Sequence, residues 1–156
     1  MVAEAEVEVV LDTQSVTVSE TREIPIYQLR RLHDTTTWAR GRTQAQLQAI
    51  LRHSDIFLTA WDGDTLVGCV RVLTDFVVRA LVCDVIVDPA YQGLGLGRLL
   101  VEAVEAHPAL HDVEQIALFT TRKRDFYAHL GWDDHPGHGM VLSNQRSAIS
   151  SQLTEG

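Results

Sequence analysis

The sequence predicts an α+β fold in which a mixed, mainly antiparallel sheet is flanked by helices. Three observations lead to it. Apolar runs over 55–61, 66–73 and 79–88 follow one another closely, and the first two are joined by the tight turn Asp62-Gly63-Asp64, as in consecutive antiparallel strands. Segments with apolar residues at helical spacing stand before and after this strand group. The chain has 156 residues, 46% hydrophobic and 22% charged, which fits one domain with its own core. No repeat, low-complexity tract or linker divides it, so 1–156 is expected to form a single domain with its core over about 16–142.

The elements follow in the order β-α-α-β-β-β-α-β-α-β. Residues 1–15 are acidic, with Val7-Glu8-Val9-Val10 as an edge strand or part of a loose tail. Val16-Thr17-Val18 opens the first convincing strand. Pro25 suits the start of a helix carrying Ile26, Leu29 and Leu32. A polar stretch from His33 to Arg42, with Trp38 inside it, leads to Thr43, an N-cap for a helix bearing Leu47, Ile50 and Leu51. The three central strands come next, with a bend at Thr74-Asp75-Phe76, and Pro89 ends the last of them. Leu99, Leu100, Val101, Ala103 and Val104 mark an amphipathic helix ending near His107-Pro108. Val113–Thr120 reads as a strand, and Arg124–Leu130 as a short helix stopped by Gly131. Met140-Val141-Leu142 reads as a last short strand, and the polar chain after Ser143 is expected to fray.

Charge narrows the partners. The formal net charge is −8, which argues against nucleic acid, because binding phosphate chains needs a basic surface. A negative field suits a cationic substrate such as an amine. No apolar run reaches the length of about 20 residues that a membrane helix needs, so no membrane partner is expected. Met1-Val2-Ala3-Glu4-Ala5-Glu6 lacks the basic start and apolar stretch of a secretory signal, which points to the cytoplasm, or to a plastid-like compartment if the chain is processed. Cys69 and Cys83 fit neither a disulfide framework nor a zinc pattern and read as small buried thiols. A hairpin centred near Phe76 would let them face each other. His135 and His138 lack a third ligand, so no metal is expected.

The segment richest in chemistry is Asp84-Val85-Ile86-Val87-Asp88-Pro89-Ala90-Tyr91-Gln92-Gly93-Leu94-Gly95-Leu96-Gly97-Arg98. A strand enters a glycine-rich turn and a helix leaves it. Glycines let backbone N–H groups converge, and the helix adds free N–H groups and the positive end of its dipole, which together make a phosphate site. Arg98-Leu99 does not supply the Gly-Lys-Ser/Thr of a P-loop. Glycines at 93, 95 and 97 also break the dinucleotide spacing, and the turn comes after several strands rather than after the first.

Gln92, Gly95 and Gly97 match the Arg/Gln-x-x-Gly-x-Gly/Ala motif of the GNAT acyltransferases, and Phe126-Tyr127 with Gly131-Trp132 resembles that family's Phe-Tyr-x-x-x-Gly-Phe/Trp segment. The resemblance runs over roughly 16–142 and is strongest over 84–132. Its wording from Arg79 to Tyr127 is similar to a cyanobacterial and plastid group that includes serotonin (arylalkylamine) N-acetyltransferases. It implies the GNAT fold, acetyl-CoA as co-substrate and a small-molecule amine as acceptor, with a homodimer as one option. It assigns the CoA pyrophosphate to Leu94, Gly95, Leu96, Gly97 and Arg98, and counts Gln92 and Gly93 among the co-substrate-binding residues. It places a strand bulge, whose backbone meets the acetyl carbonyl and pantetheine, at Val85, Ile86 and Val87. It implies that Tyr127 protonates the leaving thiolate. Thr120-Thr121 departs from the family, where an Asp or Asn is common.

Acetyl transfer to an alkylamine needs a proton acceptor, because such amines are mostly charged at neutral pH. Asp84, an acid inside an apolar strand, is the candidate base, with a pKa expected to be raised by desolvation. His33, His129 and His138 are weaker candidates. Neither cysteine has an evident base nearby in sequence, so direct attack without an acyl-enzyme is expected. Trp38, Asp75 and Phe76 fall where the acceptor is expected to bind, while Trp61 and Trp132 read as core. Two alternatives stand beside this reading: acetylation of protein N-termini or lysines, and a non-catalytic acyl-CoA sensor.

Overall fold

The structure is a computed structural model that describes residues 6–11, 14–135 and 139–142. It divides into two compact units, residues 1–119 and 120–156.

The first unit holds one six-stranded sheet in sequential order β1 to β6: Val7–Leu11, Gln14–Glu20, Ile56–Asp62, Thr65–Thr74, Arg79–Val87 and Gln115–Leu118. The first five pair antiparallel, and β6 pairs parallel with β5. Helix α1 (Ile26–Asp34) and helix α2 (Gln44–His53) lie between β2 and β3, and α3 (Leu96–Glu105) lies between β5 and β6. This is the mixed, mainly antiparallel α+β architecture that the strand order predicts.

The helices begin and end for local reasons. Pro25 precedes α1 and leaves no side-chain cap there. Thr43 caps α2 through a full capping box: its hydroxyl accepts from Gln46 N–H, and the Gln46 side chain accepts from Thr43 N–H. Leu29, Leu32, Leu47 and Leu51 of α1 and α2 meet Phe57, Leu66, Cys69 and Ile86 of the sheet in one core cluster. Gly68 faces the other way. A Cβ there would sit 3.1 Å from Leu100 Cδ1, 3.3 Å from Ile86 C=O and 3.4 Å from Leu96 Cδ2, so glycine at this position leaves α3 room to pack closely on β4. The sheet thus has α1 and α2 on one face and α3 on the other.

Two register shifts shape the sheet. Val67 is the extra residue between β4 and β3, and Cys83 is the extra residue between β5 and β4. Cys69 lies opposite Ile86, so the two cysteines do not face each other, and both are free. At the bend, Phe76 takes a left-handed backbone (φ 63°), and Asp75 Oδ1 accepts from the N–H groups of Val77, Val78 and Arg79.

In the second unit the regular element is α4 (Arg124–His129). Gly131 (φ 92°) closes it, with Trp132 N–H reaching back to Tyr127 C=O at 3.1 Å. Met140, Val141 and Leu142 form no strand, contrary to the sequence expectation: all three are exposed, so their apolar side chains have no partner surface to fix an extended register. His138, the first five residues and the chain from Ser143 onward lie outside the described residues.

Candidate functional site

The glycine turn joins β5 to α3 through a 3₁₀ turn, Pro89–Tyr91, capped by Asp88, whose Oδ1 accepts from Ala90 N–H. Gly93 (φ 79°) and Gly95 (φ 90°) both adopt the left-handed backbone that side chains disfavour. Open space surrounds the position of a Cβ at either one. Gly95 is the N-cap of α3, which has no side-chain cap and no acid in its first turn. The first N–H groups of the helix, at Leu96, Gly97 and Arg98, therefore keep their donor capacity in an open setting. That is the requirement for an anion held on backbone amides. Arg98 pairs with Glu102 along the helix at 2.7 Å. Gln92 points back instead, and its Nε2 donates to Val87 C=O at 3.2 Å, tying the turn to the end of β5.

The edge of β5 supplies a second set of donors. Pairing with β6 stops at Val82 opposite Leu118, while β5 continues to Val87. Asp88 N–H bonds Val67 C=O at 2.8 Å, so by antiparallel alternation Ile86 and Asp84 bond to β4. The backbone groups of Val85 and Val87 then face the side that β6 has left. The shift at Cys83 sets this phase; without it the alternation would turn Asp84 and Ile86 outward instead. The bulge is thus two residues upstream of the place implied by the family resemblance, and it acts by orienting Val85 and Val87.

Asp84 is buried at 3% exposure, and its neighbours overturn the expectation of a raised pKa. Burial by itself pushes the carboxyl up, but hydrogen bonds and charge from Arg71 and Arg42 hold it below the usual value. Arg71 Nε donates to Oδ2 at 2.5 Å, Arg42 Nη1 to Oδ2 at 3.0 Å and Arg42 Nη2 to Oδ1 at 3.4 Å. A carboxylate held this way is a weak proton acceptor. His33 adjoins the same group. It is 1% exposed, its Nδ1 lies 3.0 Å from Arg42 Nη1, and burial first, then the Arg42 charge, lowers its pKa to about 4.

Sequence reasoning missed Arg42 and Arg71. The signal for Arg71 was available: a lone cation in the apolar strand Val70-Arg71-Val72 stands opposite the lone acid of the next strand. Arg42 came from a polar stretch with no periodicity, and only the fold brings it to Asp84.

Trp38 is exposed, with the Arg42 guanidinium 5.9 Å above its ring. Phe76 is exposed at the β4–β5 bend, while the Asp75 carboxylate is engaged by the turn's own amides and is correspondingly lowered in pKa. Trp61 is half-buried, its Nε1 donating to Thr59 Oγ1 at 2.8 Å. Among the described residues no group of three or more His, Cys, Asp or Glu side chains is placed to hold a metal ion.

In the second unit, Tyr127 packs edge-on against Phe126 (ring centroids 5.0 Å apart) and Trp132 (5.9 Å). Burial raises the pKa of its phenol. His129, one of the weaker base candidates, is exposed with Nδ1 at 2.6 Å from Asp125 C=O.

A strand that loses its parallel neighbour, followed by a glycine turn opening an uncapped helix, defines the class. The chain matches the Acetyltransferase (GNAT) family over residues 24–132 and belongs to that family. It is similar to GCN5-related N-acetyltransferase 2, chloroplastic, of Arabidopsis thaliana, with 33% identity over 135 residues, covering 73% of this chain and 52% of the relative. It is likewise similar to serotonin N-acetyltransferase 2, chloroplastic, of Oryza sativa subsp. japonica, with 33% identity over 120 residues, covering 70% of this chain and 58% of the relative. The chain spans about half the length of the curated relatives it matches. Among solved structures, a GNAT family protein of Xanthomonas campestris superposes with a TM-score of 0.74 at 28% identity, over 83% of this chain and 93% of that one. No described helix is long and apolar enough to cross a membrane.

Proposed function

We propose that this protein is an N-acetyltransferase that passes the acetyl group of acetyl-CoA to a primary amine. The observation that carries the reading is the open N-terminus of α3, with left-handed Gly93 and Gly95, at the end of a strand whose Val85 and Val87 amides face away from the ladder. These residues fit the co-substrate: the turn's amides suit a pyrophosphate, and amides along a strand edge suit the amide-bearing pantetheine arm. An N–H donor at Val87 also suits the thioester oxygen, where negative charge grows as the carbonyl becomes tetrahedral.

In this reading the amine nitrogen attacks the thioester carbon directly, the C–S bond breaks, and the thiolate takes a proton. Tyr127 is the proposed donor of that proton, since its raised pKa keeps it a phenol throughout the neutral range. Asp84 serves as the anchor of Arg42 and Arg71 rather than as the base, and the amine loses its proton to solvent. Cys69 takes no part, because burial raises its thiol far from the thiolate form.

The test combines calorimetric titration with acetyl-CoA and release of free thiol across a panel of primary amines. Binding together with amine-dependent thiol release is expected. Tight binding without release on any amine or N-terminal peptide would identify an acyl-CoA sensor. Release with peptides alone would identify a protein acetyltransferase.

A further inference from the structure

Between α2 and β4 lies an open cleft of about 340 Å³ lined by Arg42, Gln46, Ala49, Ile50 and Arg71. Asp84 lies buried beside both arginines, its two oxygens occupied by the three guanidinium contacts described above. His33 adds no charge: its Nδ1 accepts from Arg42, so the ring is neutral. Two guanidinium groups therefore face one carboxylate, and the cluster holds one positive charge in excess within a protein of net charge −8. Arg71 bonds through Nε to Asp84 and through Nη1 to Ser54 Oγ at 3.5 Å, and its Nη2 has no partner among the described residues. Gln46 uses Oε1 in the helix cap, and its NH₂ likewise has no partner among the described residues. Ala49 and Ile50 give the cleft an apolar wall.

Building on the N-acetyltransferase reading, we propose that the acceptor is a small apolar amino acid, and that Arg71 and Arg42 bind its carboxylate in this cleft. An amine with no acid group would bring a second cation to a site already one charge in excess, and Asp84 has no free face to offer it. A carboxylate offsets that excess and accepts from the free guanidinium and amide N–H groups, while an apolar side chain covers Ala49 and Ile50. The cleft's volume suits a small molecule rather than a folded partner.

The test is calorimetry in the presence of CoA, with phenylalanine and leucine compared with their methyl esters and with phenethylamine. Thiol release from acetyl-CoA is followed for the same compounds. The acids are expected to bind at least about tenfold more tightly than the esters, the range of one charge-assisted hydrogen bond. Gln46→Glu keeps the capping box, since Glu serves at that position as well as Gln, and sets a negative charge on the cleft wall. In that variant the acid-to-ester preference should fall to near one. Equal binding of acid and ester, phenethylamine matching phenylalanine, or a preference untouched by Gln46→Glu would each overturn the subsite. Binding of none of the acids at millimolar concentration would do the same. An acid preference that Gln46→Glu erases, with no thiol release from any compound, would support a carboxylate subsite and overturn these amino acids as acetyl acceptors, while release across the wider amine and peptide panel decides the transferase reading.

Discussion

Asp84 shows how little a residue's sequence setting fixes its chemistry. An acid in an apolar strand looks like a desolvated base, yet two arginines placed by other elements hold it as a carboxylate. Asp84→Asn is expected to destabilise the fold by about 3 kcal/mol or more, since it leaves Arg42 and Arg71 without their partner in a largely buried place. Urea unfolding measures this, and a loss below about 0.5 kcal/mol would mean that solvent screens the cluster. Tyr127 is a different case, the proposed proton donor whose pKa burial moves upward. A phenol is already protonated at neutral pH and burial raises its pKa further, so Tyr127→Phe should lower turnover by roughly 10²–10⁴-fold, the usual contribution of a positioned general acid, while acetyl-CoA affinity stays nearly unchanged. A variant with unaltered turnover up to the alkaline limit of the assay would remove Tyr127 from the mechanism.

The element that bears most on the proposed function is the turn into α3. Its left-handed glycines make two substitutions at one position informative. Gly95→Ala meets only the backbone penalty, about 1–2 kcal/mol at φ 90°, because space around its Cβ is open. Gly95→Asp adds a negative charge at the N-terminus that is to hold a pyrophosphate. Gly95→Asp should lose no more stability than Gly95→Ala in thermal melts, because an acid suits a helix N-cap, yet it should lose much more acetyl-CoA affinity by calorimetry. Equal affinities for the two would move the pyrophosphate elsewhere. On the neighbouring strand, the bulge at Cys83 decides which amides are available, and no residue preference in Leu81-Val82-Cys83-Asp84 announces it. A one-residue phase change depends on how two strands settle against each other, which explains why the bulge lies two residues upstream of the place the family motif implies.

At the scale of the molecule, acid stability should carry the signature of His33. Its pKa is about 4 in the fold against an ordinary 6.5, so the unfolded chain binds the extra proton between those values. Stability is therefore full above pH 6.5 and falls as the pH drops toward 4, by about 2 kcal/mol once solvent screening is allowed for. Asp84 acts lower: its depressed pKa gives stability that is present above the ordinary carboxylate value and lost as the pH falls through the lower, folded one. Urea midpoints at pH 7.5 and 5 should differ in the wild type and differ less in His33→Gln. A wild-type stability that is flat across that interval would show His33 to be solvated. Most of the architecture was legible beforehand. The apolar runs of Ile56–Asp62, Thr65–Thr74 and Arg79–Val87, the Thr43 cap and the Gly-x-Gly-x-Gly turn are local signals, set by backbone sterics and by the placing of apolar residues. They determined the sheet, the helices and the region expected to bind CoA. Met140–Leu142 had the composition of a strand but no surface to pair with, so composition alone misled there. Only tertiary structure decided that His33, Arg42, Arg71 and Asp84 meet. They come from α1, the approach to α2, β4 and β5, and their charge balance belongs to no single segment. Charge interactions act through space, so the sequence could name the titratable groups but not their neighbours, and the neighbours set the sign of the cleft.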